Sequence, residues 1–239
     1  MSGTVACMEG RRARLRAHLV DEIRAAALDE LRRTGAAALS LREVARAAGI
    51  SPSGLYRYVD GRDGLLELLI SDGFEAFGAA IDAAIAAAGD NAEARLEAVA
   101  LGYRRWALDN PEQFGLILGT PVPGFRARPE GRTTASVRRF GAPMISVVTA
   151  AYAANRPAGR ESETARTVDP PAPDPTSGAV PESLLVRSWA RVHGLVALEA
   201  FGHLAWSGLD VEALLRAEVR SILVELGRLG PDATDRETI

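Results

Sequence analysis

Between Ser40 and Arg62 the helix start and stop signals follow one another so closely that only two short helices joined by a tight turn can carry them. Ser40 followed by Glu43 has the form of a capping box, in which the serine oxygen accepts from the amide three residues on and the glutamate reaches back. A helix is therefore predicted to open at Leu41. Leu41, Val44, Ala45 and Ala48 recur at helical spacing, and Gly49 supplies the left-handed conformation that closes such a helix. Ser51 is a second N-cap, and Pro52 stands at the first helical position, where its missing amide costs nothing. A second helix is predicted from there to about Tyr58.

Ala45 and Gly49 fall where two steeply crossing helices touch, so larger side chains there would force them apart. Leu55 is the plug from the second helix. Its outer face then carries Ser51, Ser53, Gly54, Tyr56, Arg57 and Tyr58, small or hydrogen-bonding groups that suit a DNA groove. On spacing alone, an ordinary helical hairpin in an all-helical protein is the alternative.

Leu39 through Leu66 resembles, without a gap, the DNA-binding domain of the tetracycline-repressor (TetR) family. The family pattern of a Thr or Ser cap, an Ala and a Gly in the turn, a Leu-Tyr pair, an aromatic and a basic residue before the fourth helix is met by Ser40, Ala45, Gly49, Leu55 with Tyr56, Tyr58 and Arg62. Val59 stands where Phe is usual and Arg62 where Lys is usual. Val fills the same apolar site and Arg keeps the charge. The expectation is that Tyr56, Tyr58, Arg62 and Ser40 hold phosphates, helix N-termini favouring anions. Arg42, Ser51, Ser53, Gly54 and Arg57 are the candidates for base edges, with arginine on guanine the commonest specific contact.

The chain has 239 residues, enough for one large or two small domains. Alanine is abundant and aromatic residues make up only 5%, which favours helix throughout. The net charge of -3 conceals an asymmetry: residues 1–62 hold 11 arginines against 7 acidic residues, whereas 63–239 hold 17 against 24. The positive part coincides with the helix-turn-helix. Cys7 is the single cysteine, which excludes an internal disulfide and a cysteine metal cluster. With no cleavable apolar leader and no spanning segment in the sequence, a cytoplasmic protein without membrane contact is expected.

Residues 1–10 are expected to be disordered. Arg11, Arg12, Arg14 and Arg16 lead into a helix ending near Arg33, with Leu15, Leu19, Ile23, Ala27 and Leu31 along one side and Gly35 closing it. Those arginines either reach the DNA backbone from a flexible arm or are simply solvated. A long helix follows from Arg62 to about Ala88, able to carry movement at its far end to the DNA-binding head. Ala92–Asn110 and a short helix from Pro111 come next, then a Pro/Gly loop over 119–131. The next helix, about Thr134 to Ala154, carries Val137, Phe140, Met144, Ile145 and Val148, with Pro143 inside it; such a kink can leave a cavity. Residues 156–181 contain six prolines and no periodicity, and read as a mobile loop.

Glu182–Trp206 is apolar nearly all round, and Val211–Leu229 is apolar along Val211, Leu214, Leu215, Val219, Ile222, Leu223 and Leu226. Trp189 to Glu199 is similar to the Trp-His-Gly signature of one group of TetR-family C-terminal domains. What the resemblance implies is a homodimer in which these last two helices pack on their symmetry mates, with Leu195, Leu198, Gly202, Leu215 and Ile222 at the seam and Gly194 and Gly202 allowing close approach. It also implies a small apolar effector, for which Tyr103, Trp106, Phe114, Phe140, Met144, Trp189 and His193 are the candidate pocket. Aromatic residues at helical spacing are equally simple core, and His193 with its apolar flanks reads as a satisfied buried histidine rather than a metal ligand. No phosphate loop, metalloprotease pattern or nucleophile motif is present, so neither an enzyme nor a cofactor is expected.

The fold class expected is all-α, with about nine helices: a DNA-binding domain over 11–62 and a ligand-binding and dimerisation domain over 63–230. The function expected is a ligand-responsive repressor acting as a homodimer on a palindromic double-stranded operator. The alternative is a constitutive DNA-binding or helical scaffold dimer with no inducer.

Overall fold

The computed structural model describes residues 2–155 and 180–228, with side chains from Arg14 onward. The expected mobile loop therefore lies outside the described residues except for Val180 and Pro181. Nine α-helices are present among the described residues: α1 Ser2–Thr34, α2 Leu41–Ala47, α3 Pro52–Leu55, α4 Gly61–Ala87, α5 Ala92–Asp109, α6 Pro111–Leu118, α7 Arg132–Asn155, α8 Glu182–Ala200 and α9 Val211–Arg228. The all-α expectation holds, and no strand occurs among the described residues.

The helices divide into two compact units. One comprises residues up to Ala76 together with Asn110–Arg138, the other Phe77–Asp109 together with the chain from Arg139. The expected domain boundary at 62/63 lies in the first turn of α4, whereas the units divide after Ala76 and after Arg138, so that both α4 and α7 are shared between them.

In the first unit, α1 begins at Ser2, not after residue 10. No proline occurs before Pro52 to interrupt the helix, although Gly3, Thr4, Val5 and Gly10 give residues 2–10 little helical bias of their own. Ile23, Ala27 and Leu31 of α1 are buried with Leu39, Val44, Ala45, Leu55, Leu65 and Leu66. Burial fades toward the amino end, where Leu15 is 62% exposed against expectation. Arg24 Nε of α1 lies 2.7 Å from Asp72 Oδ2 of α4. Gly73 lets α6 lie close on α4, since a Cβ there would stand 3.0 Å from Ile117 Cγ2.

In the second unit, α5 lies against α8 and α9, which also touch each other. At its centre Phe77 stacks on Trp106 with centroids 4.1 Å apart and meets Tyr103 and Phe140 at 4.7 Å each. Gly102 brings α5 onto α4: a Cβ there would be 2.9 Å from the Ala84 Cβ. Arg104 of α5 forks onto Glu199 of α8 with two bonds of 2.7 Å and reaches Glu212 of α9 at 3.2 Å. Arg191 joins α8 to Glu225 of α9 at 2.6 Å.

Two expected faces shift. On α7 the buried stripe runs through Ser136, Phe140, Val147, Val148 and Ala151, which leaves Val137 and Ile145 exposed. α8 stops at Ala200 rather than Trp206 because Gly202, at φ +75°, closes it. The Gly202 amide donates to the Glu199 carbonyl and the His203 amide to that of Leu198, the paired bonds of a Schellman motif.

Candidate nucleic-acid interface

The turn between α2 and α3 is built by the residues that announce it. Ser40 Oγ accepts from the Glu43 amide at 3.4 Å, opening α2. Glu43 does not turn back on Ser40; its carboxylate accepts from Arg46 at 2.8 and 3.0 Å, and that guanidinium holds the carboxyl below its ordinary pKa. Gly49, at φ +69°, donates to the Arg46 carbonyl, and Ile50 donates to that of Ala45. This Schellman closure turns the chain within one residue, so that Ser51 can cap the next helix by accepting from the Gly54 amide at 3.0 Å. Leu55, fully buried, is the expected plug.

α3 is shorter than the expected span to Tyr58. Its bonding tightens after Leu55, with Arg57 donating to the Gly54 carbonyl and Tyr58 to that of Leu55. Gly54 gives this segment little helical bias. The tightening leaves Ser51, Ser53, Tyr56 and Arg57 exposed, Tyr56 at 61%, with Gly54 and Tyr58 partly buried. Arg42 of α2 is also exposed. Of the side chains offered for base edges, Arg42, Ser51, Ser53 and Arg57 are therefore all exposed.

Arg62 is placed differently from the phosphate contact expected of it. Its Nη2 donates to the carbonyls of Ala36 at 2.8 Å and Ala37 at 3.2 Å, in the short 3-10 turn Ala36–Ala38 between α1 and α2. It clasps the two chain segments that flank the helix-turn-helix. The other arginines of this region fall into two groups. Arg24, Arg32, Arg33 and Arg46 each hold a carboxylate. Arg14, Arg16, Arg42 and Arg57 make no hydrogen bond or ion pair among the described residues, and Arg16 Cζ lies 5.5 Å from the centre of the Tyr58 ring. No spacing in the sequence signals that contact. Nor does any signal Arg128, whose guanidinium lies 3.3 Å from Asp60 Oδ2 and 3.5 Å from Glu67 Oε1.

Of the residues expected to line an effector pocket, Tyr103, Trp106 and Phe140 pack ring against ring around Phe77, and Phe114 is buried in the first unit. Met144 is partly buried. His193 Nδ1 is 2.9 Å from the Tyr103 hydroxyl, and Trp189 stacks on the imidazole at 5.1 Å. Burial raises the Tyr103 pKa and lowers that of His193, so a protonated phenol faces a neutral ring.

A cavity of about 200 Å³ lies elsewhere in the second unit, lined by Asp82, Ile85, Asp90, Arg95, Pro143 and Ser146 among others. The proline that interrupts α7 does border it. None of the expected aromatic residues does, and the lining is mixed: Ile85, Ala92, Pro143, Val147 and Ala150 supply apolar surface beside Asp82, Asp90 and Arg95. Asp82, Asp90 and Arg95 have no ion-pair partner among the described residues, and Arg95 Nε is buried without a hydrogen bond.

The expected dimer residues divide. Leu198 is exposed and Leu195 partly buried, but Leu215 and Ile222 are 0% and 1% exposed and form the inner face of α9 with Val211, Val219 and Leu226. They are core, not seam. The outer face of α9 is Leu214, Ala217, Ser221 and Val224, one residue out of register with the expectation. Gly202 is the closing residue of α8, and Gly194 has open space where a Cβ would stand.

Residues 23–78 match the family described as bacterial regulatory proteins, tetR family, and residues 96–222 match the tetracyclin repressor-like C-terminal domain. The HTH-type transcriptional regulator Rv1816 of Mycobacterium tuberculosis is 32% identical over 213 residues, covering 82% of this chain and 86% of the relative. The crystal structure of the regulatory protein SCO4313 superposes with a TM-score of 0.66 at 30% identity, covering 89% of this chain and 98% of that one. A protein of unknown function from Rhodococcus sp. RHA1 gives 0.67 at 26% identity, over 87% and 95% of the two chains. With both halves of the chain matched and the helix-turn-helix formed as its caps dictate, the chain belongs to the TetR family of DNA-binding transcriptional regulators.

Proposed function

We propose that this regulator is a repressor that acts as a homodimer on a palindromic operator in the cytoplasm and is released by a small effector. The observation that carries the DNA-reading part is the set of exposed groups on and beside α2 and α3, Arg42, Ser51, Ser53, Tyr56 and Arg57, of which Arg42 and Arg57 hold no carboxylate among the described residues. Arg42 and Arg57 read bases, and Tyr56 with the N-terminal ends of the two helices holds phosphates. A two-fold dimer would present two such surfaces to half-sites about 34 to 36 Å apart or a multiple of that.

The seam is assigned to the outer faces of α8 and α9, where Val186, Trp189, Leu198, Phe201, Leu214 and Val224 are exposed large apolar side chains. A second copy covers them. The effector site is assigned to the cavity beside Pro143, whose apolar walls with Asp82, Asp90 and Arg95 at the lining suit a small molecule that is apolar in its body and carries a polar group. Such a ligand must bind the DNA-free form better than the DNA-bound form, by about 1.4 kcal/mol for each tenfold loss of operator affinity. The filled aromatic centre around Phe77 supports a second reading, a constitutive DNA-binding dimer with no inducer.

Mobility shift on DNA upstream of the protein's own gene, with nonspecific competitor at stated salt, tests the first part. A footprint of two symmetric half-sites is expected. Sequence-blind binding alone would overturn the operator reading. A compound that raises the Tm and weakens the shift in the parent protein but not in Arg95→Gln would support the effector site, and its failure in a broad screen favours the constitutive dimer.

A further inference from the structure

The matched DNA-binding segment begins at residue 23 and α1 begins at Ser2, so residues 2–22 are helix that precedes the matched segment. We propose that this amino-terminal stretch of α1 is a second DNA-backbone contact, in which Arg16, with Arg12 one helical turn before it, holds phosphates flanking those under the helix-turn-helix. The inference rests on the DNA-binding reading and extends it to an element which the helix-turn-helix pattern does not include.

Position comes first. The Arg16 guanidinium lies over the Tyr58 ring at 5.5 Å, which makes this part of α1 continuous with the recognition surface. Charge points the same way. From Arg11 to Arg16 the chain has four arginines and no acid, and the carboxylates of α1 resume only at Asp21. Farther along, Arg24 and Arg32 are each held by a neighbouring aspartate, whereas Arg16 is exposed and its guanidinium donors are unclaimed among the described residues. A guanidinium resting on an aromatic ring keeps those donors for a phosphate. Because the segment is helical, residues 12 and 16 share one side of α1, about 6 Å apart along its axis. A polyanion is the partner that this arrangement fits, and the adjoining helix-turn-helix identifies it as the same duplex.

The test is the salt dependence of binding, measured by fluorescence anisotropy with the full-length protein and a labelled mixed-sequence duplex between about 50 and 200 mM salt. Each phosphate contact contributes about 0.9 to the slope of log K against log salt. Arg16→Gln is expected to lower that slope by about 0.9 per bound protomer, and the Arg12→Gln, Arg16→Gln pair by about 1.8. Arg16→Lys, which keeps the charge, should retain it, and Arg32→Gln, whose guanidinium is already on Asp29, should leave it unchanged. An unaltered slope in the double variant, at unaltered Tm, overturns the proposal while leaving the helix-turn-helix reading intact. An equal loss in Arg32→Gln overturns it too, as the effect would then be diffuse charge. If the parent protein itself shows no salt-dependent duplex binding, both readings fall.

Discussion

Arg62 Nη2 donates to the Ala36 carbonyl at 2.8 Å, and this single bond ties the first turn of α4 to the turn that closes α1. A charged donor shared by two carbonyls contributes about 1.5 to 3 kcal/mol. Arg62→Ala is expected to lower stability by about that amount in a urea titration and to leave the salt slope of DNA binding in place. A phosphate contact would behave in the opposite way, with unchanged stability and a slope reduced by about one.

The two faces of α9 should respond in opposite ways. Leu215→Ala removes a fully buried side chain and is expected to destabilise the folded subunit by about 2 to 5 kcal/mol. Val224→Asp, on the exposed face, should leave subunit stability within about 0.5 kcal/mol and shift sedimentation from dimer to monomer. Dimers that persist in Val224→Asp would place the seam elsewhere.

Two helical glycines separate close packing from open space. Gly102→Ala places a methyl against Ala84 and is expected to cost about 1 to 3 kcal/mol through the forced separation of α4 and α5. Gly194→Ala meets nothing within 4 Å and should stabilise the isolated subunit by about 0.5 to 1 kcal/mol through helix propensity. Denaturation midpoints of the two variants provide the comparison. A fall in self-association of Gly194→Ala would show that the partner approaches there.

The Tyr103–His193 pair makes stability depend on pH. Burial lowers the His193 pKa below the ordinary 6.5, so once the pH drops below that value the unfolded chain takes up a proton that the folded chain does not. Stability is therefore complete above about pH 6.5 and declines as the pH falls from there toward the folded value. In His193→Gln this part of the decline should vanish from urea midpoints measured between pH 7.5 and 5.5, endpoints lying about one unit on either side of the ordinary value. A profile as steep as the parent's would assign the dependence to another group.

Local chemistry was legible and distant pairing was not. Ser40, Gly49, Ser51 and Pro52 each act on backbone groups within five residues, so the helix-turn-helix follows from their order alone. α9 was misread by one residue because Leu214 beside Leu215 and Leu223 beside Val224 make both faces apolar, and a period of 3.6 does not say which one turns inward. The helix stop that Gly202 completes with Phe201 and His203 depends on its left-handed backbone, which a seam assignment by sequence does not bring out. The Arg62 clasp spans 26 positions and the cavity draws on three helices and a turn, arrangements that only the packed chain creates.

The shared helices bear on how such a regulator can be recombined. The unit that contains the helix-turn-helix is discontinuous: it takes in Asn110–Arg138 as well as the chain up to Ala76. A chimera spliced at residue 62 would separate Arg24 from Asp72 and Asp60 from Arg128. A graft that exchanges operator preference between relatives therefore has to transplant α6 and the 119–131 segment together with the first four helices, or keep the host's inner surfaces and exchange only the outward side chains of α2 and α3.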